Sequence, residues 1–423
     1  MVAVTMTKTK LKDVCDRITV GHVGPMADKY TPDGVPFLRS QNITPFRLHL
    51  EDIKFVPRDF HELLRKSALR PGDVAVVRTG YPGTACVIPE TLPESNCADL
   101  VVITPSKNLN PYFLAAIFNS AWGKSSVAGN LVGVAQQHFN VGAAKEMEVT
   151  IPSRAMQDRI AGILSAYDDL SENTLWRIRI LEEMAHALYR EWFVNFRFPG
   201  HEAVDFVETQ FGRAPEGWVL PFIDHVDFKE GPGLRNWQYR NEGLPFLNIR
   251  TLVDNDIDLS KVQFLDPKEV EEKYQHFLLR EHDHVVSSSG TIGRIVTIRA
   301  EHLPLMLNTS IIRMRPHGQS IGCWQLKHFL LHDYFQNQAK SFATGAAQAN
   351  FGPIHLKQMQ IIAPGEHIAA EYERLVAPME FAIMSLARRN QNLRRTRDLL
   401  LPRLLSGEVS LAIATAKPIE NVA

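Results

Sequence analysis

Two stretches of the chain carry apolar residues at intervals of three and four. The first runs Ile160, Leu164, Tyr167, Leu170, Leu175, Ile178, Leu181, Ala185, Leu188, Trp192 and Phe196, with no proline before Pro199. This spacing predicts a helix of about 44 residues, or roughly 66 Å at 1.5 Å per residue. The second runs Tyr372, Leu375, Met379, Ile383, Leu386, Leu393, Leu400 and Leu404, and Ser406-Gly407 ends it. Pro378 is expected to bend or offset this helix near its start. Such seams pack against another helix. An antiparallel, intramolecular coiled coil is therefore expected; the alternative is that each helix folds onto its own globular domain.

The segments before each helix have a different texture. Asp73 to Val77 and Leu100 to Ile103 are short apolar runs between Gly and Pro turns and read as strands, and Asn110-Pro111 opens a helix through Ile117. In the second half Asp283 to Val286, Arg294 to Ile298 and Ser310 to Met314 read as strands, and Cys323 to Asp333 as helix. The expected organisation is a mixed domain at 1–152, a long helix at 153–199, a connector at 200–218, a second mixed domain at 219–364, a second long helix at 365–408 and a tail at 409–423. The fold class is α+β.

The halves also share wording. Gly34-Val35-Pro36-Phe37-Leu38 returns as Gly243-Leu244-Pro245-Phe246-Leu247, and Leu69-Arg70-x-x-Asp73 as Leu279-Arg280-x-x-Asp283. Gly80-x-x-Gly83 matches Gly290-x-x-Gly293, and Gly133-x-Ala135-Gln136-x-x-Phe139 matches Gly345-x-Ala347-Gln348-x-x-Phe351. The matches keep one order at an offset near 211, half the chain. That is duplication of a whole domain-sized unit, and a pseudo-two-fold molecule is expected from it.

Composition then narrows the classes. Length and a 45% hydrophobic fraction allow two or three packed domains. The four cysteines, Cys15, Cys86, Cys97 and Cys323, form no CxxC pair, so neither a zinc site nor a disulfide framework is expected. No apolar run reaches the roughly 18 residues of a membrane span, which points to a soluble, cytoplasmic protein. Dinucleotide, P-loop and nucleophile-elbow glycine motifs are absent. Asn110-Pro111-Tyr112-Phe113 approaches a methyltransferase motif but lacks its second proline, and helix capping explains it. No catalytic centre is read in the chain.

The residues carry a family resemblance. Leu11-Lys12-Asp13-Val14, Leu188-Tyr189-Arg190-Glu191-Trp192-Phe193-Val194, Pro215-Glu216-Gly217-Trp218 and Leu399-Leu400-Leu401-Pro402-Arg403-Leu404-Leu405-Ser406-Gly407-Glu408 resemble the phrases of specificity subunits of type I restriction-modification systems. The resemblance implies two target-recognition domains, each reading one half of a bipartite double-stranded DNA sequence, with the helices as spacer. It also implies two adenine-N6 methyltransferase subunits docked on the helices and two ATP-dependent restriction and translocation subunits. S-adenosylmethionine would belong to the former, ATP and Mg to the latter, and no cofactor to this chain. A methylation-only or type II-like assembly, a self-contained DNA-modifying enzyme and a protein scaffold are the competing readings.

Base readout needs bidentate groups on loops that can enter the major groove. Three loops per half fit. In the first they offer Arg39, Gln41 and Asn42; Arg78, Thr79 and Tyr81; and Gln136, Gln137, His138 and Asn140. In the second they offer Asn248 and Arg250; Ser288, Ser289, Thr291 and Arg294; and Gln348 and Asn350. The alternative is that these residues only build turns. Trp192, Phe193, Arg394, Arg395 and Arg397 are the candidate partner contacts. The arginine run 388–397 reads either as a phosphate patch or as the ionic partner of acids on the first helix or the methyltransferase subunits. Asn390 would stand as a polar residue in an apolar seam and fix its register.

The chain carries 46 Lys and Arg against 47 Asp and Glu, and neither mixed domain is basic: 1–152 holds 16 basic and 14 acidic residues, 219–364 holds 15 of each. Phosphate attraction dominates nucleic-acid affinity. A neutral reader is therefore expected to depend on partner subunits for tight binding.

Overall fold

The computed structural model describes residues 6–131, 138–253, 256–342, 350–406 and 408. The chain forms two compact units, residues 1–174 with 389–423, and residues 175–388.

In the first unit a four-stranded antiparallel sheet runs in the order β1 (Cys15–Val20), β4 (Leu100–Pro105), β2 (Val74–Val77), β3 (Ala85–Val87). Register is set by Leu100 opposite Val77 and Val101 opposite Val20. Alternate strand residues face opposite ways. Val74, Val76, Val101 and Ile103 pack against α1 (Pro111–Asn119), whereas Ala75, Val77, Leu100 and Val102 pack on Leu38, Ile43 and Leu69. Both faces are buried, which is why these strands read as unbroken apolar runs. Asn110 caps α1 as its sequence implied, accepting hydrogen bonds from the Tyr112 and Phe113 amides.

The second unit repeats the order with β5 (Val226–Glu230), β8 (Ile311–Pro316), β6 (His284–Ser287) and β7 (Ile295–Thr297), next to α3 (Cys323–Leu331). Its larger core joins Ile312 and Met314 of the sheet to Phe329, Tyr189, Trp192, Phe193 and Tyr372.

The long helices are α2 (Arg154–Phe193), of 40 residues, and α4 (Glu366–Ser406), of 41. Each is somewhat shorter than its apolar periodicity suggested, and each contributes to both units. In the first unit Ile160 and Leu164 of α2 share a core with Leu401 and Leu404 of α4, and Ser171 meets Asn390, so the segments run antiparallel. In the second, Phe193 contacts Tyr372 at a ring separation of 4.8 Å and Ala185 shares the same core. Helix α4 runs through Pro378, which lies on its exposed side. Trp218, from the expected start of the second copy, packs on Phe198 at 4.4 Å.

Candidate nucleic-acid interface

In each unit the loops at one end of the four-stranded sheet come together. In the first, the amide of Arg78, just after β2, donates to the Asp99 carbonyl at 3.3 Å, and the Phe139 amide donates to the Arg78 carbonyl at 3.1 Å. The Ser40 hydroxyl reaches the same Asp99 carbonyl at 3.4 Å. The second unit uses the same frame: the Ser288 amide donates to Ser310 at 3.0 Å, and the Phe351 amide to Ser288 at 3.0 Å. Ser289 bridges Asn350, and a Cβ on Gly290 would lie 3.0 Å from Ile249. The described residues of the predicted loops, with Asn350 alone representing the last, therefore gather at one sheet end in each half. Between β2 and β3, and again between β6 and β7, the hairpin turns through positive φ at Gly80 (82°), Gly83 (89°), Gly290 (65°) and Gly293 (81°), a region that favours glycine.

Several predicted reading residues instead hold the frame. Asn42 is buried; its side chain accepts from the Arg39 amide and donates to the His49 carbonyl. Asn140 and Asn248 are caps, accepting from the Ala143 and Arg250 amides. Helical turns leave their first amides unsatisfied, and a short amide side chain closes them. Arg39 and Gln41 both bind Asp52, at 2.9 and 2.8 Å. Arg78 turns inward, its Nε donating to the Phe139 carbonyl at 3.3 Å and its Nη1 lying 3.6 Å from Asp99. Ser288 is buried with its hydroxyl unpartnered.

Other members of the set face outward. Tyr81 is 84% exposed at the hairpin tip, with Thr79 half-buried behind it. Arg250, Thr291 and Asn350 are exposed, Ser289 is half-buried, and Arg294 is exposed while donating to the Leu252 carbonyl at 2.9 Å. His138 is half-buried. Gln136, Gln137 and Gln348 lie outside the described residues. Elsewhere in the second unit, Trp237 is 74% exposed among exposed Arg235, Asn236 and Arg240. The sequence signal, an aromatic residue interleaved with arginines, was present but fell outside the duplicated wording.

The helical candidates divide as well. Trp192 and Phe193 are buried in the second unit's core and present no docking face, because a large aromatic pair gains most by filling the space around Tyr372. In the same unit Trp176, Ile180 and Met184 form an exposed stripe at intervals of four on α2. In the first unit Arg397 pairs with Asp168 of α2 and lies 4.9 Å over the Phe46 ring. Burial and the neighbouring Arg397 and Arg47 lower the Arg394 pKa, although its side chain reaches the surface with Arg395. The Asn390 side-chain oxygen accepts from the Ser171 hydroxyl in the buried seam.

Polar clamps tie the long helices to the sheets. In the first unit Gln157 accepts from the Asn110 amide at 2.8 Å and donates to Pro152. In the second, Glu373 of α4 accepts from the Trp324 and Gln325 amides at the start of α3, at 2.8 and 2.9 Å. Glycine at 322 leaves room for this clamp, because a Cβ would fall 2.1 Å from that carboxylate and displace it. Burial pushes the Glu373 pKa up to about 7, against these two bonds. Burial also acts against charge on Glu380, but the hydrogen bond from His328 and the Lys327 ammonium outweigh it and hold the pKa at about 2.

Among the described residues no group of three or more metal-binding side chains occurs, and no helix is long and apolar enough to cross a membrane. The cysteine thiols of Cys15, Cys86 and Cys323 are pushed up to about 12, chiefly by burial, which leaves them inert.

Residues 4–182 match the family model of the type I restriction modification DNA specificity domain. The chain is 24% identical over 271 residues to the type I restriction enzyme MjaIX specificity subunit of Methanocaldococcus jannaschii, covering 63% of this chain and 61% of that one. It is 22% identical over 334 residues to the HindI specificity subunit of Haemophilus influenzae, covering 63% and 70%. It thus spans somewhat under two thirds of the first of these relatives. Its fold is that of the type I restriction-modification S subunit from M. genitalium, with a TM-score of 0.58 and 14% identity over 96% of this chain and 97% of that one. Residues 4–182 are thus similar to the type I restriction modification DNA specificity domain, and the duplicated sheet and long helices share the fold of a type I restriction-modification S subunit.

Proposed function

We propose that the chain is the noncatalytic DNA specificity subunit of a type I restriction-modification complex, each unit reading one half of a bipartite target. The gathering of the described loop residues at one end of the sheet, repeated on the same strand order in both units, supports this reading. One loop is a hairpin tip and can enter a groove; the others brace it, so readout is assigned to exposed side chains on a fixed frame. In the first unit this is Tyr81, and in the second Arg250, Thr291, Arg294 and Asn350.

The long helices act as spacer and as docking site for two adenine-N6 methyltransferase subunits, the exposed stripe Trp176, Ile180 and Met184 supplying an apolar seat. Those subunits bring S-adenosylmethionine and the pocket for a flipped adenine. Two ATP- and Mg-dependent restriction subunits complete the cytoplasmic assembly. The near-neutral charge of both domains fits a chain that selects bases while its partners supply most phosphate attraction.

Single-molecule methylome sequencing of a host with and without the gene tests the reading. A bipartite adenine-methylation motif should vanish with the gene; its persistence would refute the assignment. Purified chain that methylates DNA from methyl donor alone would instead establish an enzyme.

A further inference from the structure

The second unit holds a cationic cleft at the sheet end opposite its reading loops. Gln275, His276, Leu278, Leu279, Arg280, Arg313 and Arg315 line a cavity of about 340 Å³. Strand β8 starts next to Ser288 at the reading end and reaches Arg315 five residues beyond Ser310, so the cleft is about 16 Å away at 3.3 Å per residue.

Its charges are incompletely matched. Arg315 pairs with Asp283 through Nη2 at 2.7 Å and through Nε, and Arg313 pairs with Asp227. Both acids are thereby spent. The Arg280 guanidinium is exposed and has no carboxylate partner among the described residues, its backbone amide alone meeting Asp283 at 2.7 Å. Lys229 stands opposite Arg313 in register. Most telling, Arg313 is 4% exposed, yet its Nε is buried without a hydrogen-bond partner. An unsatisfied buried donor on a cation is costly and calls for an acceptor. Burial and the adjacent Arg315 lower its pKa, a strain that an anion would relieve.

The duplicated first unit shows what the frame needs for folding alone. There Arg17, Asp73 and Thr104 occupy the places of Asp227, Asp283 and Arg315, and Asp73 is satisfied by Arg17 at 2.7 Å and Thr104 at 2.5 Å. The place of Arg313 is held by Val102, fully buried. The second unit keeps the central buried acid, reverses the partner strand that supplies its arginine, and adds a buried cation that packing does not require.

We infer that this cleft binds a small phosphate monoester, its dianionic head held by Arg280, Arg313 and Arg315 and its body lying against Leu278 and Leu279. Arginine forks suit phosphate oxygens, and the volume suits a small metabolite rather than an ion alone. The site stands apart from DNA readout and does not depend on it.

Isothermal titration of the full chain at constant ionic strength tests the site, using inorganic phosphate, adenosine 5′-monophosphate and a duplex without terminal phosphates as three separate probes. One saturable site for the nucleotide is expected, displaced by inorganic phosphate and weakened about tenfold or more by Arg280→Ala, whose side chain makes no hydrogen bond or ion pair among the described residues. Arg313→Val, which restores the first unit's residue, should abolish binding while the melting temperature is retained. Absence of saturable binding, equal binding by Arg280→Ala, or displacement by the duplex as effective as by phosphate overturns the proposal; the last would mark a DNA-backbone contact instead.

Discussion

At the residue scale, the reading loops separate into side chains that hold shape and side chains that face outward. Asn42 uses both ends of its amide inside the protein. Asn42→Ala should cost about 1–3 kcal/mol of stability through the orphaned groups and leave the recognised sequence unchanged, as thermal melting and methylome sequencing would show. Arg250 is the opposite case, exposed next to a capped turn. Arg250→Ala should leave melting unaltered and relax one base position by about 1–3 kcal/mol. In sequence the two look the same, because polar type and nearby glycine are alike whether a group caps a turn or meets a base. The difference lies in a three-residue 3-10 turn whose unpaired amides recruit the asparagines, and such turns leave no periodic signal.

At the element scale, the helix seam carries a buried polar contact, Ser171 with Asn390, where apolar packing would otherwise permit sliding. Asn390→Leu strands the Ser171 hydroxyl in the first unit's buried seam and should lower stability by about 1–3 kcal/mol; adding Ser171→Ala should recover most of it, and a double mutant melting no higher than Asn390→Leu would contradict the pairing. A four-residue insertion in α2 at Ser171 alone would break this register. Lengthening both helices by four residues is therefore the version expected to widen the unread gap. Helices α2 and α4 were legible because three-four periodicity persists over forty residues, and the strands because both sheet faces are buried. The fate of Trp192 and Phe193 was not, since an aromatic pair at a helix end looks the same whether it meets a partner or its own core. In the second unit, His186 and His284 have pKa values lowered to about 4, first by burial. The fold prefers them neutral, whereas the unfolded chain takes up protons below about 6.5. Stability is thus full above pH 6.5 and falls as pH drops toward 4. Hydrogen exchange should show protection in β6 and α3 declining over that window; unchanged protection at pH 4.5 would contradict it.

At the scale of the whole molecule, duplication has kept the frame and diversified what it displays. Sheet order, hairpin glycines and the buried acid at Asp73 and Asp283 recur, while Tyr81 at one hairpin tip corresponds to Thr291 at the other and Val102 to Arg313. The repeat was visible in sequence because glycine turns and strand cores tolerate little change, and the target was not, because exposed loop residues are free to vary. A near-neutral chain should also bind DNA weakly alone, gaining tight, salt-sensitive binding with methyltransferase subunits; nanomolar binding by the free chain at physiological salt would contradict this. The central claim is that each unit independently reads one half of a bipartite target. Methylome sequencing of a host expressing Arg250→Ala in place of the native chain tests it most directly. Relaxation confined to one half of the motif, with the other half and the gap unchanged, is the expected result; change in both halves, or in neither, would contradict it.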